Sequence, residues 1–363
     1  MTTETETTTK TEIDSGTFAL EAPTLPALRE ALARTGAKPE HVRRILLAWM
    51  GRAPWAADAK CRYPAALERA LPEVRSVLES IGRVECSDAE SAKLLLAMRA
   101  GDFVEAVLLP REGLCVSTQV GCAVGCRFCM TGRSGLVRQL GSLEILAQVR
   151  EGLRRMPTLS KIKFMGMGEP SHNLRAVLEA LEFLGSAEGL AFAHKALTVS
   201  TVGDERLFEA LERSPVKPAL ALSLHTTNDT LRRELLPRAA RIPVEELLDS
   251  ALRYGDLAKF PVQIEWTLLS GVNDGLEEAE RLAGLLKGRR AMVNYIDLNA
   301  VPGSDFSPVP EARAQELITV LRRSGTVATL RKSAARTVEG GCGQLRAVRL
   351  AGTERGASKP SKA

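Results

Sequence analysis

Three cysteines in one short run, Gly121-Cys122-Ala123-Val124-Gly125-Cys126-Arg127-Phe128-Cys129, have the spacing C-x3-C-x2-C. On one loop, that spacing lets three thiolates converge on a single inorganic centre. A structural zinc or an ordinary ferredoxin cluster takes four protein ligands. A local set of three leaves one position open, and an open iron of a 4Fe–4S cluster can hold a small molecule and pass it an electron. That is the arrangement for reductive cleavage of S-adenosylmethionine (SAM), a route into radical chemistry. Phe128, just before the last cysteine, suits a cluster buried against apolar side chains. The competing readings are chance, a zinc knuckle closed by Cys115 or Cys342, and a disulfide framework. The last is weak, because the chain has seven cysteines and a Thr/Glu-rich N-terminus with no apolar leader. A cluster that binds SAM is the favoured reading.

Other residues with chemistry lie at the ends of apolar runs. Met165-Gly166-Met167-Gly168-Glu169-Pro170 offers glycines that let backbone approach a ligand and a carboxylate for the α-amino group of SAM. Taken alone, Gly-Glu-Pro is also an ordinary turn. Ser200-Thr201 and Ser223-Leu224-His225 place hydroxyls and one of four histidines at strand ends. The hydroxyls suit a ribose or a carboxylate, or simply cap the next helix. His225 reads as a cofactor contact, and the Asn299 amide as a reader of an adenine edge. Cys342 sits in Glu339-Gly340-Gly341-Cys342-Gly343-Gln344, flanked by three glycines. A buried hydrophobe is the default role for a cysteine, and it is accepted for Cys61 and Cys86. A glycine-flanked loop is a poor place for one, so Cys342 reads as a nucleophile able to accept an electrophilic methyl group. Cys115 lies seven residues before Cys122, and if it meets Cys342 at the barrel mouth the two can form a transient disulfide.

These residues need a frame. From Gly113 onward, strand-like runs (GLCVSTQV, KIKFMGMG, KALTVST, PALALSLH, PVQIEWTLL, AMVNYIDLNAV, TVATLRKS) alternate with helical patterns such as SLEILAQVREGLRRM and EARAQELITVLRRSG. The alternation predicts an α/β fold: a parallel sheet forming a partial or complete (β/α) barrel, with an open doubly wound sheet as the runner-up. Either frame puts reactive residues at the carboxyl ends of strands. Upstream, Val42, Ile45, Leu46, Trp49 and Met50 form one helical stripe, and PAALERALPEVRSVLESIG predicts a second helix. The expected organisation is a disordered tail over 1–18, a helical accessory domain over 19–82 and a β-hairpin linker over 83–110. The barrel then covers 111–346, and 347–363 is a strand end with a basic tail. No apolar run reaches the length of a membrane span, and the cytoplasm is the expected compartment. The formal charge is +5, with arginine doublets such as Arg232-Arg233 and Arg289-Arg290. That is compatible with an anionic polymer partner, although single doublets are usually solvated helix faces.

The segments KPEHVRRILLAWM, GDFVEAVLLP, LCVSTQVGCAVGCRFC, MGMGEP, LTVST, ALSLH, GVNDG and GGCGQL follow one another from about Lys38 to Leu345. In this set the chain resembles the RlmN/Cfr family of radical-SAM RNA methyltransferases. The resemblance implies a radical-SAM barrel whose small helical N-terminal domain helps grip RNA. It implies one 4Fe–4S cluster on Cys122, Cys126 and Cys129, and two SAM per turnover. One SAM methylates Cys342; the other yields a radical that takes hydrogen from that methyl group. The resulting methylene adds to an adenine ring carbon, and Cys115 releases the product by forming a disulfide with Cys342. Glu105 matches the family's proton acceptor, while Gly168, Glu169, Ser200, Ser223, Leu224, His225 and Asn299 match its SAM contacts.

The implied target is carbon 2 of an adenosine in 23S ribosomal RNA, with transfer RNA as a further substrate. The implied partners are that RNA and an electron donor such as flavodoxin or ferredoxin, with the enzyme acting as a monomer. The alternatives are carbon 8 or another RNA, and a non-catalytic iron–sulfur or zinc protein that binds RNA. Departures from the family pattern stand out, among them a shortened connection from Pro110 to Cys115. Met130-Thr131-Gly132 stands where the carbon-2 branch has Ser-Thr-Ala and the carbon-8 branch Ala-Thr-Gly. Arg238 after Pro237 breaks a pattern that usually ends in Asn, and Gly340-Gly341 stands where Ala-Ala is common.

Overall fold

A computed structural model describes residues 18–59, 61–87, 92–98, 100–299 and 304–331. The tail over 1–17 and the Cys342 loop lie outside the described residues. The first helix, α1 (Leu25–Ala33), has no counterpart among the sequence expectations. It begins where Thr24 Oγ1 accepts from the Ala27 N–H and Pro26 sits in the first turn. Helix α2 (Pro39–Trp49) buries Val42, Ile45, Leu46 and Trp49, the expected stripe, and α3 (Ala65–Ser80) buries Leu67, Val74 and Leu78.

Strands β1 (Arg83–Ser87), β2 (Lys93–Ala97) and β3 (Phe103–Leu109) follow as an antiparallel meander, and β3 pairs antiparallel with β4 (Gly113–Cys115). The segment expected as a hairpin linker is therefore one end of the main sheet. The short β5 (Gln119–Gly121) and β6 (Leu136–Gln139) form a separate two-stranded sheet, with the cysteine run and α4 (Met130–Arg133) between them.

The rest of the chain alternates. Helix α5 (Ser142–Arg155) leads to β7 (Lys161–Phe164), and α6 (Leu174–Gly185) to β8 (Leu197–Thr201). Helix α7 (Glu205–Arg213) precedes β9 (Ala219–Ser223), and α8 (Asp229–Leu235) with α9 (Val244–Ala258) precedes β10 (Val262–Thr267). Then come α10 (Leu276–Leu286), β11 (Ala291–Ile296), α11 (Glu311–Arg323) and β12 (Val327–Arg331).

The sheet order is β1-β2-β3-β4-β7-β8-β9-β10-β11-β12, with every pair from β4 onward parallel. The order never reverses, so there is no switch point and the doubly wound alternative is excluded. Unreversed crossovers of one hand stack all the helices on one face of the sheet. The end strands β1 and β12 do not pair with each other, so among the described residues the barrel is partial.

Register sorts the side chains between the two faces. Leu114 points to the helices: a Cβ built on Gly152 of α5 would lie 2.7 Å from its Cδ2. Its neighbour Cys115 therefore faces inward, paired with Lys163 on β7 and Val107 on β3. The same inward face carries Glu105, Ser200, Ser223, Glu265 and Asn294.

The helical segment expected as an accessory domain is joined to the barrel by one continuous apolar core running from Phe18 to Ala328. Helix α5 lies between the two parts, and its residues from Ser142 to Leu153 are all buried. Arg150 on this helix donates to the carbonyls of Leu78, Ile81 and Gly82 at the end of α3, and its guanidinium lies over Trp49 at 5.2 Å. Orphan carbonyls at a helix end are thus satisfied by a buried cation. No described helix is long and apolar enough to cross a membrane.

Candidate active site

The cysteine loop leaves β5 at the carboxyl end of the barrel and returns through α4. Its backbone is held by the Cys122 N–H donating to Gly135 O at 2.9 Å and the Arg127 N–H donating to Leu235 O at 3.1 Å. Arg238 completes the clasp: its N–H donates to Val124 O at 3.2 Å and its Nη1 to Ala123 O at 3.2 Å. The residue that departs from the family pattern is thus a support for the loop. Gly132 is fixed by close approach, since a Cβ there would sit 2.8 Å from the Cys126 nitrogen. Beneath the loop, Val124, Val202, Leu235, Leu236, Leu269 and Leu298 form a second apolar cluster, with Phe128 packed against it.

Cys122, Cys126 and Cys129 line one cavity of about 330 Å³, together with Gly168, Glu169, Ser200, Ser223, His225 and Asn299. Nine of the sequence-derived candidates therefore meet in one place. Leu224 does not reach the cavity: it is wholly buried and contributes its N–H to Glu265 O at 3.0 Å. Cys115 and Glu105 lie deeper on the inner face, 7% and 1% exposed, and are not lining residues. Cys61 is half-buried rather than buried.

Each polar group at the mouth is held by its own neighbours. Glu169 Oε1 accepts from the Thr201 hydroxyl at 2.6 Å and the Ser171 N–H at 3.1 Å, and Oε2 accepts from the Val202 N–H at 2.9 Å. A carboxylate has about four acceptor positions, so one remains for a ligand. Gly168 has a φ of 103° and sits where a Cβ would lie 2.7 Å from Thr118 Oγ1. The glycine thus serves its packing against the 118–119 segment as well as the cavity. Ser200 Oγ and Ser223 Oγ are 3.3 Å apart.

His225 takes a left-handed φ of 66°. Its Nδ1 accepts from the Thr267 N–H at 2.9 Å, and its ring meets Phe128 edge-on at 4.7 Å. Burial, helped by the Arg232 charge, lowers its pKa to about 3, so the ring is neutral and carries its proton on Nε2. Asn273 of the GVNDG segment pins this turn, donating to His225 O at 2.7 Å and to Thr267 O at 2.9 Å. Buried Arg232 donates to the carbonyls of Val202 and Ser223, tying the ends of β8 and β9 together.

The donor set fits an iron–sulfur cluster. Burial pushes the Cys122 thiol up to about 12 and the Cys126 thiol well above its usual value, with Glu169 and the neighbouring thiolates adding repulsion. Three cysteines, one buried and two half-buried, become thiolates beside a carboxylate only around a cationic centre, which cluster irons would supply. No described group of three His, Cys, Asp or Glu is arranged to hold a single metal ion.

Glu265 is one of the lining residues that sequence reading missed. It is 2% exposed; its Oε1 accepts from Asn294 Nδ2 at 2.8 Å and lies 3.9 Å from Arg331 Nη1, and its Oε2 has no partner among the described residues. Burial raises its pKa. A signal was present in the sequence, since Gln263 and Glu265 alternate with Val262, Ile264 and Trp266, as a strand with one polar face would.

Comparison with known proteins agrees with this geometry. The pattern of the Radical SAM superfamily matches residues 116–283. A protein of Methylibium petroleiphilum named "Probable RNA methyltransferase" is 50% identical over 330 residues, covering 90% of this chain and 93% of its own length. A protein of Pseudomonas aeruginosa with the same descriptor is 49% identical over 335 residues, covering 90% and 96%. The crystal structure of a radical SAM methyltransferase from Sphaerobacter thermophilus superposes with a TM-score of 0.75 at 34% identity, covering 88% of this chain and 97% of that one. The chain belongs to the radical SAM superfamily, in the group of enzymes whose curated members are named probable RNA methyltransferases.

Proposed function

We propose that the protein methylates an adenine ring carbon in RNA, carbon 2 of an adenosine in 23S ribosomal RNA, by way of a methyl group carried on Cys342. Transfer RNA is a second substrate in this reading, flavodoxin or ferredoxin the electron source, and RlmN/Cfr the subfamily. The observation that carries it is the gathering of three cysteines, Glu169 and His225 around one cavity, in a chain half identical to relatives named for RNA methylation.

Cys122, Cys126 and Cys129 would hold the 4Fe–4S cluster, which when bound supplies the electron that splits SAM. Glu169 offers its remaining acceptor position to the α-amino group, and neutral His225 offers an Nε2 proton. Ser200, Ser223 and Asn299 present hydroxyl and amide groups to the rest of the nucleoside. Cys342 accepts the methyl group from a second SAM, Glu105 takes the proton lost from the adenine ring, and Cys115 frees the product by a disulfide with Cys342. The shared inward face of Glu105 and Cys115 supports placing them beside each other in this sequence.

Thr131-Gly132 matches the carbon-8 pattern, which makes that the second reading. Gly132 is already required by its contact with the Cys126 backbone, so its identity follows loop packing and carbon 2 stays preferred. Mass spectrometry of ribosomal and transfer RNA from a strain lacking the gene tests both. Loss of 2-methyladenosine supports the proposal, loss of 8-methyladenosine the second reading, and loss of neither refutes both.

A further inference from the structure

Cys115 and Lys163 are direct partners in the parallel pairing of β4 with β7, with their side chains on the same inward face. Paired residues on adjacent strands place their β-carbons about 5 Å apart, within reach of a lysine head group. The described structure gives Lys163 no hydrogen bond or ion pair, and burial first, then the Arg331 charge, lower its pKa below the ordinary lysine value against the opposing pull of Glu265 and Cys115. Its amine therefore stays inside the barrel, sensed by groups on three other strands.

The charges around Cys115 come from several elements. Glu105 on β3 and Lys93 on β2 share its face by register, 1% and 2% exposed. Glu265 on β10 and Arg331 on β12 face Lys163 across the interior, and Lys161 lies two residues away on its own strand. On the inner face, cationic Lys93, Lys163 and Arg331 meet two carboxyl groups, Glu105 and Glu265. Lys163 is the member of this group directly beside the thiol.

We propose that Lys163 is the positioning residue that holds Cys115 as a thiolate. The thiol proton leaves to solvent while Lys163 stays an ammonium, so no electron changes hands. A thiolate, not a thiol, attacks sulfur, so this state is the one Cys115 needs to release the product. The inference rests on the releasing role given to Cys115 above.

The test uses full-length, anaerobically reconstituted protein treated with methyl methanethiosulfonate across pH, with modification of the Cys115 peptide quantified by mass spectrometry. Lys163→Met moves the midpoint of Cys115 modification upward and slows it about tenfold near neutral pH, one pKa unit in thiolate fraction. Lys163→Arg stays within about twofold of the unchanged protein, because the charge is kept. In turnover with RNA, Lys163→Met accumulates the covalent protein–RNA adduct. Lys163→Gln, checked for folding by circular dichroism, gives the same reading if the methionine variant does not fold. An unchanged profile in the neutral variants, or an arginine variant as slow as methionine, overturns the proposal. The modification assay needs neither SAM nor RNA, so its failure is separable from failure of the adenine-methylation reading.

Discussion

At the scale of single residues, burial sets the charge state of His225. His225 is neutral because its imidazole is enclosed and its Nδ1 already accepts a backbone N–H. Its folded pKa of about 3 lies below the ordinary 6.5, so its contribution to stability is complete above 6.5 and is lost as pH falls through that window. The slope is roughly 1.4 kcal/mol per pH unit from this one group. We expect His225→Asn, which tolerates the left-handed backbone, to flatten the urea-midpoint profile over this range. An equally steep profile would show that other groups set the acid limit.

The cysteines divide by role in the same way. Cys342→Ala should abolish methyl transfer with cluster content unchanged, measured as iron and labile sulfide. Cys115→Ala should leave the first half of the reaction intact and accumulate a protein–RNA adduct on denaturing gels. Absence of that adduct would remove Cys115 from the release step.

At the scale of elements, the loop and helix that position the site make separate predictions. A Cβ at Gly132 meets the Cys126 backbone at 2.8 Å, so Gly132→Ala must shift the cysteine loop. Iron content after reconstitution should fall at least about twofold, the loss expected when ligand geometry drifts. Full occupancy would mean that the loop yields easily and that Gly132 says something about substrate after all. Arg150 holds three carbonyls at the end of α3. Arg150→Met should cost about 3 kcal/mol in urea unfolding, as breaking a buried charge network does.

These elements were legible to different degrees. All seven parallel strands and their main helices showed in the alternation, because a strand covered on one face by helices reads as an apolar run. Helix α1 did not show, since its start rests on a single threonine cap and its stripe is only nine residues long. Strands β5 and β6 are three and four residues long, and they exist because they frame the cysteine loop. Of the site, the cysteines, Gly168, Glu169, Ser200, Ser223, His225 and Asn299 were readable because each sits in a motif or at a strand end. Lys163 and Arg150 were not, because each sits inside an element and its importance comes from what register and packing place beside it, while Glu265 left only the faint signal of strand alternation.

At the scale of the whole molecule, the apolar core runs without a break from the N-terminal helices into the barrel. The helices expected as a separable accessory domain should therefore unfold with the barrel in one cooperative step by calorimetry of the reconstituted enzyme. Two transitions would show that the continuous core is only a docked interface. The same unity places the cysteine loop, the inner-face Cys115 and Glu105, and the cavity-lining strand ends on one frame.

In the proposed reaction the methyl group passes through Cys342 and loses a hydrogen on the way. Anaerobic turnover with RNA, reductant and SAM whose transferable methyl carries three deuteriums tests it directly, read by mass spectrometry of the nucleosides. The account predicts 2-methyladenosine retaining two of the three deuteriums, with the missing one in 5′-deoxyadenosine. A product that keeps all three, or 5′-deoxyadenosine without deuterium, would contradict it.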